Sequence, residues 1–151
     1  MKLSTRSRYG VRMMIALAAA GGNKSVFLKD IAVSEDISEK YLSLIVIPLR
    51  AAGLIRSIRG ARGGYVLAKE PKDISLRDIV EAVEGETCLV NCVKDPEACQ
   101  RVSVCTTRDT WIQLSNTIKE SMSAVTLAHL VAGQEGKKGI SRPKARQIKK
   151  D

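Results

Sequence analysis

Aromatic side chains, histidine and long hydrophobic runs are all scarce in this chain. Aromatic residues make up 3% of the 151 residues and hydrophobic residues 44%, so any core must be built from aliphatic side chains. That composition favours helices over a β-sandwich. No stretch approaches the roughly 18 apolar residues that a membrane span needs. The chain also lacks GxGxxG and P-loop motifs and a credible catalytic base near a nucleophile, which argues against an enzyme with a small-molecule substrate.

Acidic residues are scarce at both ends of the chain. Residues 1–70 contain twelve Lys/Arg against five Asp/Glu, residues 71–131 six against nine, and residues 132–151 seven against two. The net charge of +9 therefore comes from the two ends. A basic folded module indicates a polyanionic partner, because neutralised phosphates release condensed counterions. We expect the basic segment 132–151, which has almost no apolar residues, to be a disordered tail.

Residues 1–70 show the pattern of a winged helix-turn-helix domain. Hydrophobic periodicity predicts helices over residues 4–20 and Leu28–Ser34, and a third helix that opens at the N-cap Ser38. Two short β-leaning segments, Leu54–Arg59 and Gly64–Ala68, follow and are joined by a glycine-rich turn, as in a hairpin. We therefore expect a mainly α fold with a small β-hairpin wing.

The second half of the chain predicts a dimerisation element. We expect a connecting helix within residues 71–84, a cysteine loop at residues 85–105 and one long helix over residues 106–131. An apolar stripe recurs along that helix at Trp111, Leu114, Ile118, Met122 and Val125. A helix of this length cannot bury its stripe against so small a domain, so a homodimer is expected. The alternative is that the helix folds back on its own domain.

The second helix of a helix-turn-helix enters the major groove by its N-terminal end, and a wing can approach the minor groove or its phosphates. Double-stranded DNA is therefore the expected partner. The candidate contacts are basic and polar residues of the first helix, the third helix and the wing: Arg6, Arg8, Arg12, Ser38, Lys40, Tyr41, Ser43, Arg56, Arg59, Gly60 and Arg62.

All four cysteines lie within eighteen residues, at positions 88, 92, 99 and 105. The apolar run Met13–Ala20 follows basic residues as in a secretory signal, but it is only eight residues long, so we expect a cytoplasmic protein. Cytoplasmic thiols stay reduced, and clustered cysteines then indicate metal or redox chemistry. The spacing C-x6-C-x5-C matches neither the ferredoxin patterns nor the C-x2-C knuckles of structural zinc. An iron–sulfur cluster, a thiol redox switch and a zinc site all stay open on spacing alone.

The chain resembles the Rrf2 family of transcriptional regulators over residues 1–131. The matching stretches are Met1-Lys2-Leu3-Ser4, Arg8-Tyr9-Gly10, Ile37-Ser38, Tyr41-Leu42, Leu49-Arg50, Ala52-Gly53-Leu54, Arg59-Gly60, Gly63-Gly64-Tyr65, Cys92, Cys99, Cys105, Trp111 and Thr126-Leu127. The resemblance implies a winged-helix homodimer, crossed by its long C-terminal helices, that reads a palindromic operator. It also adds Arg50 to the candidate DNA contacts.

The resemblance further implies that Cys92, Cys99 and Cys105 hold an iron–sulfur cluster, [2Fe-2S] first and [4Fe-4S] as the alternative. Regulation would then follow cluster status, iron, redox state or nitric oxide. The fourth ligand stays open among Cys88, Glu86 and a group from the partner subunit. Where some family members carry a histidine three residues after the last cysteine, this chain has Arg108. We expect the single histidine, His129, to be an ordinary side chain at the dimer face.

Overall fold

The computed structural model describes residues 3–21, 23–60 and 63–135. Short 3-10 turns occur at Pro71–Asp73, Pro96–Ala98 and Val102–Val104. The elements follow in the order α1 (Thr5–Ala19), α2 (Leu28–Glu35), α3 (Glu39–Ala51), β1 (Ile55–Ile58), β2 (Gly64–Leu67), α4 (Leu76–Glu84), α5 (Asn91–Lys94), α6 (Arg108–Ala124) and α7 (Leu127–Glu135).

The first three helices begin close to the predicted positions, and two of them, α1 and α3, have a serine cap at the start. Ser4 caps α1 by accepting a hydrogen bond from the Ser7 N–H at 3.2 Å. Ser38 caps α3 in the same way, accepting from the Tyr41 N–H at 3.3 Å. Each cap satisfies a backbone donor that the helix itself cannot. Between them, α2 ends at Glu35, and the next residue, Asp36, has a left-handed φ of 52° that turns the chain toward α3.

The core is aliphatic, as the composition predicts. Helix α1 lies against α2, α3, α4, α7 and β2. The largest fully buried side chains come from most of these elements: Met13, Met14, Leu17, Ile31, Leu42, Ile45, Leu49, Ile55, Val66, Ile74, Ile79 and Leu127. The mainly α fold is therefore confirmed. Among the described residues, no helix combines the length and the apolar character that crossing a bilayer demands.

The predicted wing is present as an antiparallel hairpin. Strands β1 and β2 pair with Ile55 opposite Leu67 and Ile58 opposite Gly64. The hairpin is also attached to the segment that leads into α2, because Val26 and Tyr65 exchange two backbone hydrogen bonds of 2.9 and 3.0 Å. The wing is thus held against the helix-turn-helix on one side.

The single helix predicted over residues 106–131 is wrong, because the structure breaks it after Ala124. Val125 is extended, and the Leu76 N–H donates to its carbonyl at 2.8 Å. Thr126 bridges Ser75, and the Leu127 N–H donates to the Ile74 carbonyl at 2.8 Å. Two consecutive β-branched residues favour this extended pairing over a helical turn. Helix α7 then folds back onto α1 and buries Leu127 completely.

The apolar stripe predicted along this region is accordingly divided. Met122 is buried and Ile118 half-buried, and α6 contacts α4 of its own chain. Trp111 and Leu114, nearer the start of α6, keep 37% and 43% of their surface exposed. The fold-back alternative therefore holds for one end of the stripe, while the other end is unpaired within the described part of the chain.

Candidate nucleic-acid interface and cysteine loop

Helix α3, the second helix of the helix-turn-helix, has one buried and one exposed face. Leu42, Ile45, Val46 and Leu49 anchor it in the core. The predicted contacts Ser38, Lys40, Ser43 and Arg50 are all exposed. Both hydroxyls already have local partners, since Ser38 caps the helix and Ser43 donates to the Lys40 carbonyl at 2.7 Å. The exposed cations of the helix are therefore Lys40 near its start and Arg50 near its end.

Tyr41, another of the predicted contacts, is half-buried. Its ring lies edge-on to Tyr9 of α1, with ring centroids 5.6 Å apart and planes at 83°. Such edge-to-face pairs stabilise by about 0.5–1.5 kcal/mol beyond burial. Tyr41 therefore fixes α1 against the start of α3.

The three arginines of α1 separate into two kinds. Arg8 is exposed and donates to the Thr5 hydroxyl at 3.1 Å. Arg6 is also exposed and lines a shallow cavity beside α3. Arg12 differs from the expectation of a phosphate contact: it forms an ion pair with the buried Glu35 at 3.0 Å and lies 5.4 Å from the Tyr9 ring centroid. Its charge therefore ties α1 to the end of α2.

The wing presents Arg59 and Gly60 to solvent. Gly60 has φ of 102°, a conformation that glycine adopts without the strain of a Cβ atom, and its carbonyl accepts from the Gly63 N–H at 2.9 Å. Arg56, on β1, is exposed too. Arg62 lies outside the described residues.

Two exposed residues of α3 escaped the sequence reasoning. Leu44 is 53% and Ile47 58% exposed, although both lie in the apolar run of this helix. Helical spacing was the signal that could have found them. Residues 40, 44 and 47 share one face, about half a turn from the buried Leu42, Ile45 and Leu49.

The four cysteine thiols all reach solvent to some degree. Cys99 is exposed, and Cys88, Cys92 and Cys105 are half-buried. Three thiolates in one loop suit the soft-ligand chemistry of iron–sulfur clusters. Among the described residues, however, no three cysteine, histidine or acidic side chains approach closely enough to hold a metal ion. The cysteine thiolates are therefore suitable ligands for an iron–sulfur cluster, but in this conformation they lie too far apart to hold one.

The first half of the cysteine loop is tied to α6 at two points. The Leu89 N–H donates to the buried Ser115 hydroxyl at 3.2 Å. Farther along, the Arg108 Nε donates to the Cys92 carbonyl at 3.4 Å. Arg108 thus contacts the backbone of a predicted ligand residue.

Two side chains of this region have shifted pKa values. A hydrogen bond from Lys119, together with the charge of that ammonium 2.7 Å away, lowers the pKa of the Glu86 carboxyl. Glu86 is therefore already partnered at neutral pH. The Thr107 hydroxyl, 3.4 Å from the Cys105 thiol, together with the Thr107 backbone, lowers the pKa of that thiol. His129 is exposed and lies on α7, outside the cysteine loop.

Comparison with known proteins gives one consistent family. Residues 3–133 match the Rrf2 family model, described as an iron-dependent transcriptional regulator. The chain is 41% identical to the transcriptional regulator CymR of Bacillus subtilis, covering 90% of this chain and 94% of CymR. It is 42% identical to Protein rrf2 of Nitratidesulfovibrio vulgaris, covering 87% of each.

Solved structures of relatives share the fold. The structure of CymR, the global cysteine regulator of B. subtilis, superposes with a TM-score of 0.72 at 40% identity, covering 88% of this chain and 98% of CymR. T. potens IscR gives a TM-score of 0.73 at 34% identity, covering 95% and 94%. The named regulators among these relatives confirm the expectation that the chain is not an enzyme. With a winged helix-turn-helix and relatives that match nearly end to end, the chain belongs to the Rrf2 family of transcriptional regulators.

Proposed function

We propose that this regulator binds a palindromic operator as a homodimer, and that an iron–sulfur cluster held by Cys92, Cys99 and Cys105 modulates its binding. One observation carries the proposal: every thiol of the chain lies in the segment that links the DNA-binding domain to α6, and that segment is hydrogen-bonded to α6. A change in the loop is therefore transmitted directly to α6.

The dimer is supported by the unpaired end of α6. Trp111 and Leu114 lie one helical turn apart and are exposed, and Val104, just before the helix, is 69% exposed. Apolar side chains clustered in this way mark association surfaces. A second copy that covers them would place two helix-turn-helix motifs on one duplex, as two half-sites require.

Cluster binding would have to change the positions of the three cysteines relative to α6. Cys92, Cys99 and Cys105 have to approach one another to form a common ligand set, and the Cys92 backbone is held by Arg108 at the start of α6. Their approach therefore alters the contact between loop and helix. Whether a cluster is bound would depend on iron, oxidants or nitric oxide, so these signals would control the conformation of the loop.

The fourth ligand that these contacts favour is Cys88. The competing carboxylate, Glu86, is already paired with Lys119. Cys88 lines the same small cavity of about 100 Å³ as Glu86, and it would add a fourth soft thiolate to the ligand set. Cys88, Glu86 and a group from the partner subunit all stay proposals for the fourth ligand, as do the cluster types [2Fe-2S] and [4Fe-4S].

The test is an oxygen-free purification followed by a visible spectrum and iron and sulfide quantitation. Cys92→Ala, Cys99→Ala and Cys105→Ala should each abolish the chromophore, and Cys88→Ala should do so if that thiol is the fourth ligand. Ser103→Ala, an exposed residue of the same loop, is the matched control and should keep it. Loaded protein and apoprotein should differ about 5- to 150-fold in operator affinity at fixed salt, the usual range of allosteric coupling.

A thiol redox switch is the second candidate, and the exposed Cys99 together with the lowered pKa of Cys105 favours it, because exposed thiolates oxidise readily. Colourless, iron-free protein whose operator affinity changes with oxidant would support this candidate over the cluster. Stoichiometric zinc without iron would instead indicate a zinc-stabilised regulator.

A further inference from the structure

The exposed face of α3 contains large apolar side chains where a DNA-reading helix commonly carries polar ones. Leu44 and Ile47 keep 53% and 58% of their surface, although Leu42, Ile45 and Leu49 of the same helix are fully buried. Leaving two such side chains in water forgoes stability that burial would provide. Exposed apolar patches of this kind mark a surface that binds a partner.

The position of the patch identifies that occupant. Lys40, Leu44 and Ile47 follow the i, i+4, i+7 spacing of one helical face, directly opposite the core. This is the face that the second helix of a helix-turn-helix turns toward the major groove. The chain therefore places two hydrocarbon side chains where base edges would lie.

The charges around the patch suit DNA. Arg6 of α1 lines a shallow cavity of about 390 Å³ together with Tyr41, Leu44, Ile45 and Ile47. Lys40 lies on the same face as the patch, and Glu39, the acidic residue of α3, is about 100° round the helix from Lys40. A cationic rim of this sort attracts a phosphate backbone on either side of an apolar centre.

We infer that Leu44 and Ile47 read thymine 5-methyl groups in each operator half-site, an inference that rests on the proposed operator binding. Neither side chain can donate or accept a hydrogen bond, and the thymine methyl is the apolar feature of the major groove. Three residues advance about 4.5 Å along a helix, and base pairs are about 3.4 Å apart. The two side chains would therefore contact thymines at neighbouring base pairs.

The experiment begins by selecting bound sequences from a random DNA pool with the full chain. Each thymine of the selected operator is then replaced by deoxyuridine, which removes the methyl group and keeps every hydrogen bond. At one or two positions in each half-site, this replacement should weaken binding about fourfold per methyl group at fixed salt. Leu44→Ala should weaken binding of the thymine operator about tenfold and remove the deoxyuridine penalty at its position, and Ile47→Ala should do so at the neighbouring one.

The control is Val33→Ala, which truncates an apolar side chain of α2 that is 84% exposed. This variant should keep the full deoxyuridine penalty. If the chain selects no sequence at all, operator binding itself fails. If it selects an operator whose affinity ignores both deoxyuridine and the two alanine variants, operator binding stands and the methyl reading is overturned. Loss of the dimer in Leu44→Ala, measured by sedimentation, would also overturn the methyl reading, because it would show that the patch is a contact between two copies of the chain.

Discussion

Gly64, at the start of β2, should tolerate alanine far less well than Gly53 does. Gly64 has φ of 128°, and a Cβ added there would lie 2.5 Å from the Val26 carbonyl oxygen and 2.7 Å from its carbon. Both atoms are backbone, held in place by the two hydrogen bonds between Val26 and Tyr65. The new methyl group can be accommodated only if the wing moves away from the segment before α2.

The cost follows from these distances. A side chain forced into this region of φ costs about 1–3 kcal/mol, and overpacking adds about 1–3 kcal/mol, so Gly64→Ala should lower the free energy of unfolding by about 2–6 kcal/mol. Gly53 also has positive φ, at 67°, but a Cβ there meets nothing within 4 Å. Gly53→Ala should therefore lose only about 1–2 kcal/mol.

The assay is urea unfolding followed by helical circular dichroism, with all variants at one protein concentration because association shifts apparent stability. The informative quantity is the difference between the two glycine variants, which share a positive φ and differ in the clash. Equal losses of unfolding free energy at Gly64 and Gly53 would refute the account of the wing attachment.

Three further substitutions probe other parts of the structure. Leu127→Ala removes a fully buried side chain and should lower the free energy of unfolding by about 2–5 kcal/mol. Leu130→Ala, at a half-buried position of the same helix, should lower it by less. Equally small losses in the two variants would contradict the packing of α7 on α1. Ser38→Ala removes the cap of α3 and should cost about 1 kcal/mol in the same urea assay, and an unchanged midpoint would contradict its role. Burial raises the pKa of Glu84, but hydrogen bonds from Ser4 and Ser7 outweigh it and lower the pKa below its ordinary 4.5. The ionised carboxylate therefore stabilises the fold at neutral pH, and the stability gap between wild type and Glu84→Gln should narrow as pH falls below about 4.5; a gap that does not vary with pH would count against it.

The contacts of Glu84 support the proposed link between the cysteine loop and DNA binding. This carboxylate, one residue before the loop, accepts from the Ser4 N–H at 2.9 Å and from the Ser7 hydroxyl. The start of the loop is thus joined to the start of α1, the helix that carries Arg6 and Arg8. Glu84, which directly precedes the loop, therefore contacts the start of α1, and Leu89 and Cys92 within the loop contact α6.

Local signals in the sequence predicted the helices and the hairpin of the described residues up to position 84. Ser4 and Ser38 cap helices, Gly60 turns the wing, and aliphatic periodicity marks the core, and each of these is a property of neighbouring residues. The cysteine loop and the candidate cations were also found from the sequence, because residue type and spacing define them.

Tertiary contacts decided the remainder. The helix predicted over residues 106–131 breaks because Val125 and Thr126 pair with the segment before α4, a partner some fifty residues away in sequence that no local pattern reveals. In the same way Arg12 is occupied by Glu35, and Leu44 faces solvent although an apolar run surrounds it. Sequence determines which groups are available; their distances depend on how distant segments satisfy each other's hydrogen bonds and bury each other's surfaces.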